Sequence, residues 1–154
     1  MEIRDATAED APAACQVMRR SISELCSADH RDDPTILSRW LNNKTPQVVN
    51  SWIKQPRNSV LVAVEGDRIL GVGSVTDAGE ITLNYVSPDA RFSGISRAML
   101  GALETRARER GSVRCTLTST ETAFRFYLAA GYIEYEPPVG KLDNSGHQMS
   151  KLLD

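Results

Sequence analysis

The sequence predicts an α/β domain of mixed α+β type, in which a mixed sheet is flanked by helices. Apolar strand-like runs come together first, at Val60–Glu65, Ile69–Thr76 and Ile81–Val86. From residue 95 onward, strand patterns alternate with helical ones. A length of 154 residues with 41% apolar content is enough for one domain with its own core, taken as residues 1–154. Strands that run together and then alternate with helices give a mixed sheet with helices packed against it.

Each element has a local reason. Glu2-Ile3-Arg4-Asp5 is a short first strand. Thr7 with Asp10 forms an N-cap, and Ala14, Val17, Met18, Ile22 and Leu25 then make one apolar helical face. Asp33-Pro34 and Thr45-Pro46 each place a capping side chain before a proline at the first helical position. The two short helices they start carry Ile36, Leu37, Trp40 and Leu41, then Val49, Trp52 and Ile53. Gly66-Asp67 is a tight turn between two strands. Apolar residues at 95, 98, 99, 102 and 103 predict a helix over 95–110, ended by Gly111. A strand at 113–118, a helix at 121–130, a strand at 132–135 and a last strand near 147–153 follow.

Composition excludes several classes. The net charge is −2 and no basic run exists, so neither nucleic acid nor an anionic membrane is an expected partner. The longest apolar run, Val60 to Val64, is far too short to span a bilayer. Met1–Asp5 is too charged for a signal peptide. Cys15, Cys26 and Cys115 are odd in number and widely spaced, which fits a reducing cytoplasm. The cluster from Cys26 to Asp33 mixes thiol, imidazole and carboxylates but lacks the paired spacings of a zinc site, so no metal is expected.

The most informative stretch runs from Val86 to Leu100. A strand ends at Pro88, a polar loop follows, and a helix starts at Ile95. Backbone N–H groups at a helix start have no intrahelical acceptor, and the helix dipole adds positive potential, so the site suits a phosphate. Gly94 removes a Cβ from the approach, and Arg91 and Arg97 bracket the loop with charge. The spacing is neither the P-loop pattern nor the three-glycine dinucleotide pattern.

Arg91-Phe92-Ser93-Gly94-Ile95-Ser96 resembles the acyl-CoA signature of the GNAT superfamily of N-acetyltransferases, R/Q-x-x-G-x-G/A, with Ser96 where Gly or Ala is usual. Thr120 to Tyr132 is similar to the family's later motif, N-x-x-A-x-x-F-Y-x-x-x-G-F/Y. Ala123, Phe126, Tyr127, Gly131 and Tyr132 are in register, and Thr120 replaces the Asn. Physically that segment is a helix capped by Thr120 and stopped by Gly131.

The resemblance implies a central mixed, mostly antiparallel sheet and transfer of an acetyl group from acetyl-CoA to an amine by direct attack. It implies that the amides of Phe92, Ser93, Gly94, Ile95, Ser96 and Arg97, with Arg91, hold the CoA pyrophosphate. It also implies that the main chain of Asn84, Tyr85 and Val86 guides the pantetheine arm, and that Thr120 takes the cofactor contact of the usual Asn. Tyr127 is the implied general acid, since a phenol of pKa about 10 is protonated at neutral pH. Some family branches carry a base Glu at a distance matching Glu80, six residues before Val86. Other branches place one where this chain has Cys115, so that route is closed. A solvated Glu80 with a water chain carrying the proton is the alternative.

The family's variable helical segment corresponds to residues 26–57 here, which makes Asp29 and His30 the acceptor-binding candidates. Trp40 and Trp52 with that polar cluster suit a small cationic or amphipathic amine. The other place for an acceptor pocket is between the loop at 77–80 and residues 137–147. The expected acceptor is a small-molecule amine or a peptide amine, and a homodimer is left open. A non-catalytic acyl-CoA-binding or sensing module would keep the phosphate cradle without needing Tyr127.

Overall fold

The computed structural model describes residues 1–135 and 146–154. The strands are β1 (Glu2–Asp5), β2 (Asn58–Glu65), β3 (Arg68–Thr76), β4 (Ile81–Val86), β5 (Arg114–Ser119), β6 (Ile133–Glu134) and β7 (His147–Leu152). The helices are α1 (Ala11–Leu25), α2 (Ser27–His30), α3 (Pro34–Leu41), α4 (Pro46–Lys54), α5 (Ile95–Glu109) and α6 (Phe124–Ala129). Among the described residues no helix is long and apolar enough to cross a membrane.

The capping residues act as their positions predict. Asp33 accepts from the N–H of Thr35 at 2.8 Å, Thr45 Oγ1 from Val48 at 3.2 Å, and Asp10 from Thr7 at 2.7 Å. The short helix α2 carries no such signal in the sequence. Helix α6 starts three residues later than the periodicity predicts, because residues 121–123 form a turn.

The sheet is mixed at a single place. Strands β1-β2-β3-β4 form one antiparallel sheet and β5-β7-β6 a second. Among the described residues only a parallel bridge between Glu80 and Thr116 links them, and beyond it β4 and β5 part. Alternation sorts β2: Val60, Val62 and Val64 pack with α1, whereas Leu61 and Ala63 pack under α5. In β4 the pairing skips Thr82, since Ser74 pairs with Leu83 and Val75 with Ile81. This bulge puts Ile81 and Leu83 into opposite core layers although they lie two residues apart. Helix α5 lies close on β3: a Cβ at Gly73 would stand 2.8 Å from Met99 Sδ and 2.9 Å from Leu103 Cδ1.

Two polar clusters tie the second sheet to the helices. The buried Tyr132 hydroxyl donates to Glu104 at 2.8 Å, and Lys151 Nζ reaches the same carboxylate at 3.2 Å. At the other end, the His147 ring stacks on Phe124 with centroids 4.2 Å apart. Its nitrogens lie 2.7 Å from Glu134 and 2.5 Å from Glu121. The hydrogen bond to Glu134, then that to Glu121, raises the His147 pKa above 6.5. A folded pKa above the unfolded one stabilises fully below pH about 6.5, and the effect is lost as pH rises through the folded value. About a quarter of the ring's surface meets water and both carboxylates are more than half exposed, so screening keeps the gain small. Proton NMR should place the His147 midpoint above 6.5, and Glu121→Gln with Glu134→Gln should return it towards 6.5. An unshifted wild-type midpoint would show that the two carboxylates do not hold the ring.

Candidate active site

The parting of β4 and β5 opens a cleft of about 420 Å³. Its walls are β4, the loop 90–97, the turn after β5, Tyr127 of α6, and Ser21, Leu25 and Cys26 from the end of α1. The main chain of β4 faces the opening without a continuous partner strand beyond the Glu80 bridge, so its N–H and C=O groups on that edge are available to a ligand.

The loop and helix start expected to cradle a phosphate have the local geometry that the sequence predicts. Ser87 N–H bonds Leu70 C=O at 2.8 Å, and Ser87 Oγ accepts from Asp89 N–H at 3.2 Å, which fixes the start of the loop. Two residues then take left-handed backbone, Phe92 at φ 64° and Gly94 at φ 82°. The first helical bond of α5 runs from Ala98 N–H to Gly94 C=O at 3.1 Å. The amides of Ile95, Ser96 and Arg97 therefore have no helical acceptor and point out of the helix start. A Cβ on Gly94 would meet nothing within 4 Å, so the approach to these amides is open. The loop's one carboxylate, Asp89, is drawn aside by Arg20 at 2.9 Å and Arg68 at 3.6 Å. Arg20 keeps its pKa below the usual carboxylate range. Arg91 lies 4.5 Å over the exposed ring of Phe92, and Arg97 lies 6.0 Å from the Phe126 centroid.

Deeper in the cleft, Tyr127 is buried and its hydroxyl accepts a bond from Asn84 Nδ2 at 3.2 Å. Burial raises the phenol pKa, and the Asn84 bond offsets part of that rise. The phenol therefore stays protonated at neutral pH, with its proton free among the described contacts. The sequence nominated only the main chain of Asn84, but the side chain is the one that spans from β4 to α6. Thr120 Oγ1 accepts from Ala123 N–H at 3.2 Å and lines the cleft, so its hydroxyl proton remains to be given.

Three nominated side chains are not brought to the cleft wall. Glu80 is exposed and sits at the closed end, where its N–H bonds Thr76 Oγ1 at 3.1 Å. Four residues of extended chain put it roughly 13 Å from Asn84. Asp29 is occupied by the turn before α6, accepting from Glu121 N–H at 2.6 Å and Thr122 N–H at 3.3 Å. Those N–H groups otherwise lack a partner, which is why the carboxylate turns there. His30 is fully buried: Nδ1 accepts from Asp32 N–H at 3.0 Å, so the proton sits on Nε2 and is given to Ile22 C=O at 2.9 Å. Of the alternative wall at 77–80 and 137–147, residues 137–145 lie outside the described residues.

Sequence reasoning missed Ser21 and Leu25, which reach the cleft with Cys26, the first residue of the expected acceptor segment, because α1 ends beside β4. Burial pushes the Cys26 thiol up to about 12, so it is not a thiolate at neutral pH. Among the described residues no group of His, Cys, Asp or Glu is arranged to hold a metal.

Parted strands that leave an open edge beside the start of a helix define a site for an extended, phosphate-bearing ligand. Residues 24–153 match the family model for the acetyltransferase (GNAT) domain, and the chain belongs to that family. None of the curated proteins matches the sequence. Among solved structures, the chain superposes with TM-score 0.85 on a GCN5-related N-acetyltransferase (aminotransferase, class-II) from Rhodopseudomonas palustris. That pair is 20% identical over 99% of this chain and 95% of the other. PaiA N-acetyltransferase from Thermoplasma acidophilum, in complex with coenzyme A, gives TM-score 0.83 at 18% identity, covering 98% of each chain. YncA, a putative acetyltransferase from Salmonella typhimurium with its cofactor acetyl-CoA, gives 0.72 at 20% identity over 100% and 94%.

Proposed function

We propose that this chain is an N-acetyltransferase that moves an acetyl group from acetyl-CoA to a primary amine of a small molecule, by direct attack. The observation that carries this reading is one cleft with an anion cradle at its mouth and a protonated phenol, Tyr127, at its depth. The residues fit the cofactor. Open amides and two arginines suit a pyrophosphate, and the free edge of β4 at Asn84, Tyr85 and Val86 suits the amides of a pantetheine arm. Acetyl-CoA supplies a thioester that an amine can attack. In this reading Phe92 to Arg97 bind, β4 orients, Thr120 gives a hydrogen bond to the cofactor, and Tyr127 holds a proton for the departing sulfur. The amine proton leaves through water, with Glu80 at the outer end of that path, because its carboxylate starts too far away for direct abstraction. The reading takes residues 1–154 as one domain working in the cytoplasm, consistent with three free, buried cysteines.

Gly94→Val tests it. A β-branched side chain at φ 82° strains the loop and puts methyl groups in the open approach. Calorimetry should show CoA affinity falling at least about tenfold, a loss near 1.4 kcal/mol, in a variant that keeps its circular dichroism. Equal affinity in a folded variant would remove the cradle from the site. Tight CoA binding by the wild type with no amine-dependent thiol release would favour a sensing module instead.

A further inference from the structure

We propose that the Tyr85 hydroxyl holds the acceptor's amine in the cleft, and that Trp40 and His30 are the positioning residues that fix it there. This rests on the acetyl-transfer reading above and adds the group that meets its second substrate. Tyr85 follows Asn84 on β4, so its side chain leaves the opposite face of the strand. Asn84 reaches towards Tyr127. Tyr85 packs on the α1 side with Leu83 and lines the cleft together with Leu25 and Cys26.

The hydroxyl is held from behind. Trp40 Nε1 donates to it at 3.3 Å. Trp40 in turn meets the His30 ring edge-on, with centroids 6.3 Å apart at 73°. His30 is immobilised at both nitrogens by main-chain groups of Ile22 and Asp32. Fixed polar groups thus run from α1 to the cleft wall. The two tryptophan-bearing helices were expected to supply an acceptor wall directly, and α3 supplies one through Tyr85.

The chemistry of a phenol suits this task. With one lone pair given to the indole N–H, the oxygen keeps another for an amine N–H, plus its own proton. Accepting one N–H orients the nitrogen and leaves the nitrogen's lone pair free to attack. A carboxylate in the same place would favour the unreactive ammonium, and the one nearby acid, Asp29, is bound to the turn before α6. Burial pushes the Tyr85 phenol up to about 12, so it is neutral throughout the working range.

The test uses the whole chain with benzylamine, a primary amine on an uncharged body, as the probe. Tyr85→Phe and Trp40→Phe are compared with wild type by thiol release from acetyl-CoA and by calorimetry with CoA. In Tyr85→Phe the benzylamine KM should rise about tenfold, and in Trp40→Phe severalfold. The change should fall on KM more than on kcat, with the KM for acetyl-CoA and the CoA affinity within twofold of wild type. An unchanged benzylamine KM in Tyr85→Phe overturns the proposal. A parallel loss of CoA affinity also overturns it, since the Tyr85 hydroxyl, and not its main chain alone, would then belong to the cofactor wall. Wild-type protein that binds CoA but releases no thiol to benzylamine removes the acceptor pocket from this position. Wild-type protein that binds no CoA overturns the acetyl-transfer reading itself.

Discussion

Tyr127→Phe is expected to lower amine-dependent acetyl transfer by roughly 100-fold while leaving CoA affinity as it is. The substitution keeps the ring, which packs edge-on against Phe126 and Tyr132 at centroid distances of 5.2 and 5.6 Å. It removes only the hydroxyl that Asn84 holds at 3.2 Å. Packing and cradle are untouched, so a binding defect has no cause. On the proposed reading the departing sulfur loses its proton source, so turnover should fall. Single-turnover thiol release at saturating acetyl-CoA separates the two. A rate equal to wild type would mean that water protonates the sulfur and that Tyr127 is a packing residue. The Asn84 amide would be left facing a phenyl ring, and a small loss of thermal stability is the expected accompaniment.

Glu104→Ala should destabilise the fold by about 3 kcal/mol. The carboxylate on α5 is buried and takes both the Tyr132 hydroxyl and the Lys151 ammonium. Without it the hydroxyl, inside a fully buried residue, loses its acceptor, and the ammonium loses its counter-charge. Lys151 keeps some contact with water, which holds the loss at the lower end of what a broken buried pair costs. Glu104→Gln keeps an acceptor for Tyr132 and should lose only about 1 kcal/mol. Urea denaturation reads both, through the midpoint at constant slope. Equal stability for the alanine variant would show that the cluster is solvated and contributes nothing. Because domains are stable by only about 5–15 kcal/mol, the alanine variant spends a large part of what is available.

Much of the fold was legible because its signals are local. Asp33, Thr45 and the Thr7–Asp10 pair cap helices, and that is a relation across two or three residues. The cradle was legible for the same reason: a strand end, a glycine and a helix start are neighbours in the chain. The bulge at Thr82 was not legible, because a skipped residue depends on how β3 pairs with β4 and leaves no periodic trace. Neither was the parting of β4 from β5, which is decided by sheets assembled from distant segments.

Asp29 and His30 stand away from the cleft wall for a different reason. A dense polar run from Cys26 to Asp33 suggested a pocket. Polar side chains at a helix junction first satisfy the backbone around them, and Asp29 and His30 are used up in doing so. The side chains that do face the opening, such as Leu25 and Tyr85, look in the sequence like ordinary core residues.

A recognition surface made from strand edge and helix start is drawn from the repeating part of the polypeptide, not from its variable part. Every residue other than proline brings the same N–H and C=O, so most positions along β4 and the loop can change identity without changing what they offer. Selection on such a surface acts on the path of the chain and is nearly blind to its letters. Only the few places where the path itself needs a particular residue, such as the left-handed turn at Gly94, are restricted by conformation. Backbones that share only 18–20% of their residues with this chain superpose on it at TM-scores of 0.83 and 0.85. What such backbones share with this one is a shape, carried by main-chain groups that nearly any sequence can supply.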